Sequence, residues 1–202
     1  MVNYTTITKY VFKMEVYLQK ELKEKTGQLI FLTLVLIIPN LFVKTVAILF
    51  LSASLLAYDI KHKNAEILYL LPFSKKELYL YNLVFLTLTV TATSVISQIF
   101  SESGILSRLV FVLNSLTLLF SIFGFTMLFS GLGRDGFGWA LFIIILDAVL
   151  GGLGSYNINS PSFNPYSLIS FTHQGNVILS FFASCVICLL SYYTFISKGG
   201  EN

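Results

Sequence analysis

The chain has 202 residues, of which 55% are hydrophobic and only 11% charged, with a formal net charge of +3 and a mean hydropathy of +0.80. Soluble domains carry about 25% charged residues, so this composition excludes a soluble globule and predicts an all-α, polytopic membrane protein. The modest net charge, with basic residues that follow the predicted topology, also argues against nucleic-acid binding.

Residues 1–26 are predicted to form an amphipathic helix on the membrane surface, and residues 27–202 a single membrane domain. Apolar side chains recur every three or four residues and so share one helical face: Ile7, Val11, Met14, Leu18 and Leu22. The polar side carries lysines, as expected of an interfacial helix near anionic lipid: Lys9, Lys13, Lys20 and Lys23.

Six spans are predicted in the membrane domain. Residues 27–59 would measure about 50 Å as one helix, well beyond a hydrocarbon core of ~30 Å. The turn signal Pro39-Asn40 divides them into two short helices that fold as a hairpin. The two hairpin helices and the four later spans are predicted at residues 27–40, 42–58, 78–100, 109–130, 137–153 and 176–197.

The segment 154–175, before the last span, contains no Asp, Glu, Lys or Arg, but it is interrupted by Pro161 and Pro165. It is too apolar for a free loop and too interrupted for a span. We therefore predict a re-entrant pair of short helices that bends between the two prolines, covered by protein or water.

The basic residues predict the orientation. In the six-span layout, every Lys and Arg except Lys44 and Arg108 falls on one side. Because cytoplasmic loops carry an excess of basic residues, both termini are predicted to be cytoplasmic, with the chain in the plasma membrane.

Residues 59–77 form a charged connection between the second and third predicted spans. Pro72 ends one short helix, and Ser74 followed by Glu77 is a capping box that starts the next. The connection is therefore predicted to be a rigid cytoplasmic elbow, suited to receiving a push from another protein. The alternative is an ordinary loop that happens to be helical.

The stretch "AEILYLLPFSKKELYLYNLV" resembles the connection between the second and third spans in permease subunits of type-2 ATP-binding-cassette (ABC) exporters. That family has a Glu-containing helix followed by a Leu-Pro-x-Ser-x-x-Glu element. The family also has a surface helix, six spans and an Asn-Pro-aromatic stretch before the last span. The corresponding stretch of this chain is "SPSFNPYSLISF". The resemblance implies a coupling helix that docks on a cytoplasmic ATPase. The residues implied in coupling are Glu66, Leu70, Leu71, Pro72, Ser74 and Glu77.

The resemblance also implies the partners: cytoplasmic ABC ATPase subunits, a second permease copy (the same or a related chain) and membrane lipids. ATP and Mg would be bound by the ATPase, and this chain would bind no cofactor and catalyse no reaction itself. Its glycine-rich stretch "SGLGRDGFG", residues 130–138, lacks the Gly-Lys-Ser/Thr ending of a phosphate loop. We interpret it as a tight cytoplasmic turn, with Arg134 and Asp135 as a candidate second contact with the ATPase.

Asp147 in "FIIILDAVLGG" is the only acidic residue deep in a predicted span. Because a carboxylate there costs about 2.5–3.5 kcal/mol, two interpretations stand. It contacts substrate or protons along a translocation path, or it is an inward-facing group that is protonated or hydrogen-bonded to Ser, Thr or Asn on a neighbouring helix. A secondary carrier using Asp147 is one alternative to the exporter, and an immunity or scaffold protein is another.

The remaining reactive residues predict no metal or redox site. Cys185 and Cys188 lie in an apolar run and are interpreted as two small apolar side chains on one helix face. His62 and His173 fall on opposite sides of the predicted membrane and so cannot share a metal.

Overall fold

The computed structural model describes residues 4–61, 73–99 and 104–198. Within these residues the chain is helical and contains no β-strand, only one isolated β-bridge, which confirms the predicted all-α class. The α-helices are α1 (Tyr4–Leu36), α2 (Leu41–Ser54), α3 (Leu56–Lys61), α4 (Lys75–Ile99), α5 (Ile105–Gly131), α6 (Gly136–Gly152) and α7 (Val177–Lys198), and a 3-10 helix spans Pro165–Leu168.

Within the described ranges, three helices, α4, α5 and α7, are long and apolar enough to cross a membrane, which supports the predicted membrane protein. The apolar helices α2 and α6 have 14 and 17 residues, or about 21 and 26 Å at 1.5 Å per residue. Both are shorter than a hydrocarbon core of ~30 Å. The six-span layout therefore stays a prediction.

α1 bends close to the point where the predicted surface helix ends. Lys25 has φ −124° and ψ 21°, which are non-helical values inside an otherwise continuous helix. After α1, a turn at residues 37–40 reverses the chain where Pro39-Asn40 predicts it. Asn40 starts α2 by accepting hydrogen bonds from two amides of its first turn, at 2.9 and 3.2 Å. α2 ends at Ser54, earlier than the predicted 58, and α3 follows.

The chain reversals collect at two ends of the bundle. One, the hairpin end, contains the turn at 37–40 and the segment 153–176; the first residues of α2 and the last turns of α6 line one cavity there. The other, the elbow end, contains residues 55–61, 73–74 and 132–135, and it holds a second cavity between α1, α2, α3 and the α5–α6 turn.

α5 lies at the centre of the bundle and packs along most of α7. The contact is close because α7 presents mainly small side chains to it, as helices that pack tightly within membranes do. At Gly124 of α5, an added Cβ would lie 2.9 Å from Cγ2 of Ile187 and 3.2 Å from the backbone N of Cys188. The buried residues of α7 are Ser180, Ser184, Cys188, Ser191 and Phe195.

The glycine-rich stretch 130–138 forms the predicted tight turn, between α5 and α6. Gly133 has φ 71°, and the amide of Arg134 donates to the carbonyl of Phe129 at 2.9 Å. A left-handed residue just after a helix is most often glycine because it has no Cβ to clash.

The segment between α6 and α7 corrects one prediction. Instead of the predicted pair of short helices over 154–175, it contains one 3-10 helix, several turns and an isolated bridge between Ser155 and Phe163. Its re-entrant position in the membrane stays a prediction. Asn164 caps the 3-10 helix and also donates to the last turn of α6 at 2.7 Å. Side-chain bonds to the backbone thus replace the helical ladder in this segment.

The face that α1 turns towards the bundle differs from the predicted apolar stripe. Met14 and Leu18 pack against the core, but Leu22 is 48% exposed. Tyr17 and Glu21, each 1% exposed, occupy the centre of the packed face instead. A buried carboxylate is tolerated only with a partner, and the partners of the Glu21 carboxylate lie at the elbow end.

Candidate functional site

α4 begins with the predicted capping box. The Ser74 hydroxyl accepts from the Glu77 amide at 3.2 Å, and the Glu77 carboxylate accepts from the Ser74 amide at 2.8 Å. The same carboxylate accepts from Nζ of Lys13 on α1 at 2.9 Å, in an ion pair whose side chains are 16% and 15% exposed. The start of α4 is therefore tied to α1.

A second set of ion pairs, the charge cluster of Lys20, Glu21, Lys25 and Asp59, joins α1 to α3. The Asp59 carboxylate lies 2.8 Å from Nζ of Lys20 and 3.3 Å from Nζ of Lys25. The Glu21 carboxylate lies 2.9 Å from Lys25 and 3.2 Å from Lys20. The two positive charges balance the two buried negative charges, which is the condition for charges to lie inside a protein.

The electrostatics of the charge cluster shift two pKa values. Burial, together with the nearby Glu21 and Asp59 carboxylates, raises the pKa of the Tyr17 phenol well above its usual range. Burial opposes the charge of Lys20, but its hydrogen bond to Asp59 and the proximity of Glu21 outweigh this and raise the pKa of Lys20 above its usual value. Lys20 therefore stays charged at physiological pH, and Tyr17 stays neutral.

The two sets of ion pairs flank residues 62–72 on both sides. α3, which precedes these residues, is held by the charge cluster, and residues 74 and 77, which follow them, are held by the capping box and Lys13. The predicted coupling residues Glu66, Leu70, Leu71 and Pro72 lie outside the described residues, as does His62.

A cavity of about 590 Å³ opens at the elbow end beside the charge cluster. Its apolar wall includes Phe50 and Phe137, whose ring centroids lie 5.4 Å apart. The two residues of the predicted second ATPase contact have different surroundings. Asp135 lines the cavity, whereas the Arg134 guanidinium lies 5.8 Å from the ring centroid of Trp139. The charged residues lining the cavity are Glu24, Lys25, Asp59 and Asp135.

Asp147 is 1% exposed and lies against the segment that follows its own helix. Its carboxylate accepts from the hydroxyls of Tyr166, Ser170 and Thr172, the last two at 2.8 and 2.6 Å, and from the Thr172 amide at 2.9 Å. Each oxygen has at least one donor. This geometry matches the hydrogen-bonded interpretation, with the donors on the α6–α7 connection rather than on a neighbouring helix.

Cys185, Cys188 and His173 make contacts within the protein and do not belong to a metal-binding group among the described residues. Cys185 and Cys188 are free thiols, and the Cys188 carbonyl accepts from the Tyr79 hydroxyl at 2.9 Å. Nε2 of His173 lies 3.0 Å from the Ala148 carbonyl. No group of three or more metal-ligating side chains occurs among the residues that the structure describes.

Sequence reasoning missed Glu21, Asp59 and Lys44 as structural charges. Lys44, assigned by the topology to the side opposite the termini, is 0% exposed inside the bundle. The available signal for Lys44 and Asp59 was that each lies within or at the end of an apolar run, where an isolated charge needs a specific partner. Glu21 lies in the charged stretch "QKELKEK" and carries no such signal.

Comparisons of the chain with protein-family models, with curated proteins and with solved structures found no match. The likeness to type-2 ABC exporter permeases is therefore a resemblance of residues 65–84 and of the predicted layout alone.

Proposed function

We propose that the chain is the membrane-spanning permease subunit of a type-2 ABC exporter, which moves a substrate across or out of the membrane. A separate cytoplasmic ATPase would bind ATP and Mg and dock on residues 62–72. A second permease chain, identical or related, would complete the translocation path.

The observation that carries the proposal is the anchoring of both flanks of residues 62–72. The charge cluster ties the preceding α3 to α1, and the pair between Lys13 and Glu77 ties the following α4 to the same helix. A short connection with fixed ends passes an applied displacement into its neighbouring helices, because its ends cannot yield independently. A coupling element needs this property.

The directions of the helices also favour the proposal. α1 up to its kink contacts the elbow end through Lys13 and Lys20. The last turn of α7 lies there as well, since Cα of Phe195 is 3.2 Å from a Cβ added at Gly131, the last residue of α5. If residues 26–36 of α1 and the helices α2 and α6 cross with the three longer helices, the six crossings put both termini on one side, and that side carries nearly all the basic residues. The elbow end would then be cytoplasmic.

Within this proposal the residues divide by role. Glu66, Leu70, Leu71 and Pro72 would contact the ATPase, and Asp135 would form a second contact beside the cavity. The surface helix 1–26 and the segment 154–175 would close the path at its inner and outer ends.

The test is affinity purification of the detergent-solubilised chain from its host, with mass spectrometry of the proteins that co-purify. We expect the wild type to retain a protein with a phosphate loop in stoichiometric amount, and Glu66→Arg to lose it. The matched control is Glu15→Arg, the same charge change at an exposed position of α1, which should retain the partner.

Two outcomes would contradict the proposal. If the wild type retains no ATPase, the exporter function is wrong. If Glu66→Arg retains as much ATPase as Glu15→Arg, residues 62–72 are not the coupling site.

A further inference from the structure

Lys44 holds a buried positive charge at the hairpin end. It lies in the first turn of α2, and its side chain is 0% exposed. Its Nζ donates to the carbonyl of Leu36 at 2.7 Å and to the hydroxyl of Ser94 at 3.0 Å. Leu36 is the last residue of α1, and Ser94 belongs to α4. One ammonium group thus joins three helices.

A fourth helix contacts the same charge. Nζ of Lys44 lies 5.3 Å from the ring centroid of Phe111 on α5, within the range of a cation–π contact. The Leu36 carbonyl is at the C-terminus of α1, where the helix dipole favours a cation. The Leu36 carbonyl, the Ser94 hydroxyl and the Phe111 ring are all neutral, and each presents negative partial charge to the ammonium.

No acidic side chain forms an ion pair with Lys44 in the part of the chain that the structure describes. Asp147, near the same end, is bound instead by hydroxyls and an amide of the α6–α7 connection. The charge of Lys44 is thus compensated only while α1, α4 and α5 stay in place around α2. Separating them before water reaches the ammonium would leave a buried charge without partners, which is costly in a low-dielectric interior.

We propose that Lys44 is a latch that keeps the hairpin end closed. The α1–α2 hairpin stays against α4 and α5 through the ammonium, and it separates from them only when water replaces Leu36, Ser94 and Phe111 around the charge. This inference goes beyond the proposed exporter function and does not depend on it.

The test measures access of water to the hairpin end. Ser97, 3% exposed near the end of α4, is replaced by Cys in a chain carrying Cys185→Ala and Cys188→Ala, reconstituted in lipid nanodiscs. The rate of labelling by a charged, water-soluble maleimide is then compared with and without Lys44→Met. A second reporter, Ser184→Cys, lies in the α5–α7 contact and is 0% exposed in the native chain.

We expect Lys44→Met to raise the labelling rate at position 97 by at least about tenfold, which corresponds to about 1.4 kcal/mol, with no rise at position 184. Thr45→Val is the control, since the Thr45 hydroxyl donates to the Leu41 carbonyl of its own helix, and it should change neither rate. Ser94→Ala, which keeps the charge and removes one acceptor, should raise the rate at position 97 by a smaller factor.

The latch is overturned if Lys44→Met changes the rate at position 97 no more than Thr45→Val does. It is also overturned if both reporters become equally accessible, because that indicates general loosening of the bundle. If Lys44→Met does not fold, the Ser94→Ala variant is used in its place. The latch is then rejected if Ser94→Ala does not increase the labelling rate at position 97.

Discussion

At the scale of single residues, this chain keeps charges inside the protein in three ways. Asp147 is surrounded by hydroxyl and amide donors, and Lys44 by neutral acceptors and an aromatic ring. Asp59 and Glu21 are paired with lysines. Each arrangement supplies the partners that a charge requires when it leaves water.

Asp147→Asn is expected to lower the free energy of unfolding by about 1–3 kcal/mol. The amide group of asparagine would face donors of Tyr166, Ser170 or Thr172, where the carboxylate now accepts from all of them. The measurement is denaturant unfolding in detergent. Glu15→Gln, at an exposed position, should change stability by less than about 0.5 kcal/mol.

The same substitution distinguishes a structural role of Asp147, as a hydrogen-bonded anchor of the α6–α7 connection, from a role in carrying protons. Unchanged stability of Asp147→Asn combined with complete loss of transport would contradict the anchoring role and favour a proton-linked site. Reduced stability with transport largely retained is the result that the hydrogen bonds predict.

At this scale the sequence predicts local partners and misses distant ones. The bonds between Ser74 and Glu77 were predictable because a capping box joins residues three positions apart. The bond between Lys20 and Asp59 spans 39 positions, and nothing in local spacing indicates it. Among the donors to Asp147, Ser170 and Thr172 were predictable as residue types but not in position, and Tyr166 was not predicted, because the donors depend on how the connection folds back.

At the scale of elements, the contact between α5 and α7 is set by small side chains. Gly124 lets the backbones approach until an added Cβ would overlap Ile187. The Ser184 hydroxyl in this contact is satisfied within its own helix, where it donates to the Phe181 carbonyl at 2.7 Å. Packing at short range, rather than bulky apolar side chains, therefore holds these two helices together.

Gly124→Leu is expected to destabilise the chain by about 1–3 kcal/mol or more, because α7 must move away to admit the side chain. Gly27→Leu in α1 is the matched control: nothing lies within 4 Å of a Cβ added at Gly27, so this change should be neutral or slightly stabilising. Thermal unfolding of both variants in one detergent makes the comparison. Equal melting temperatures would show that the α5–α7 contact is looser than described.

At the scale of the whole molecule, the elbow end gathers the ion pairs that link α1 to the bundle, and the hairpin end gathers Lys44 and the Asp147 contacts. The two ends are thus held by different chemistry. Ion pairs that are partly exposed weaken with salt, whereas the buried contacts of Lys44 and Asp147 are screened much less. Added salt is therefore expected to weaken the contacts of the elbow end more than those of the hairpin end.

The proposed orientation is tested with single cysteines in a chain lacking Cys185 and Cys188. Glu24→Cys lies at the elbow end and Asn157→Cys in the α6–α7 connection, and both positions are exposed. With a membrane-impermeant maleimide, we expect position 157 to react in intact cells and position 24 only after permeabilisation, as the basic residues predict. The reverse pattern would place the termini outside, and labelling of both positions in intact cells would contradict the spanning layout.

The sequence by itself determined the all-α class, the apolar character suited to a membrane, the turn at Pro39-Asn40 and the capped start of α4. These follow from composition and from contacts between near neighbours along the chain. Only the tertiary structure decided which face of α1 is buried, which groups surround Lys44 and Asp147, and how the α6–α7 connection folds. Those features depend on partners tens of residues away, because a buried charge or hydroxyl takes whichever donor or acceptor the packing of distant helices brings within hydrogen-bond distance.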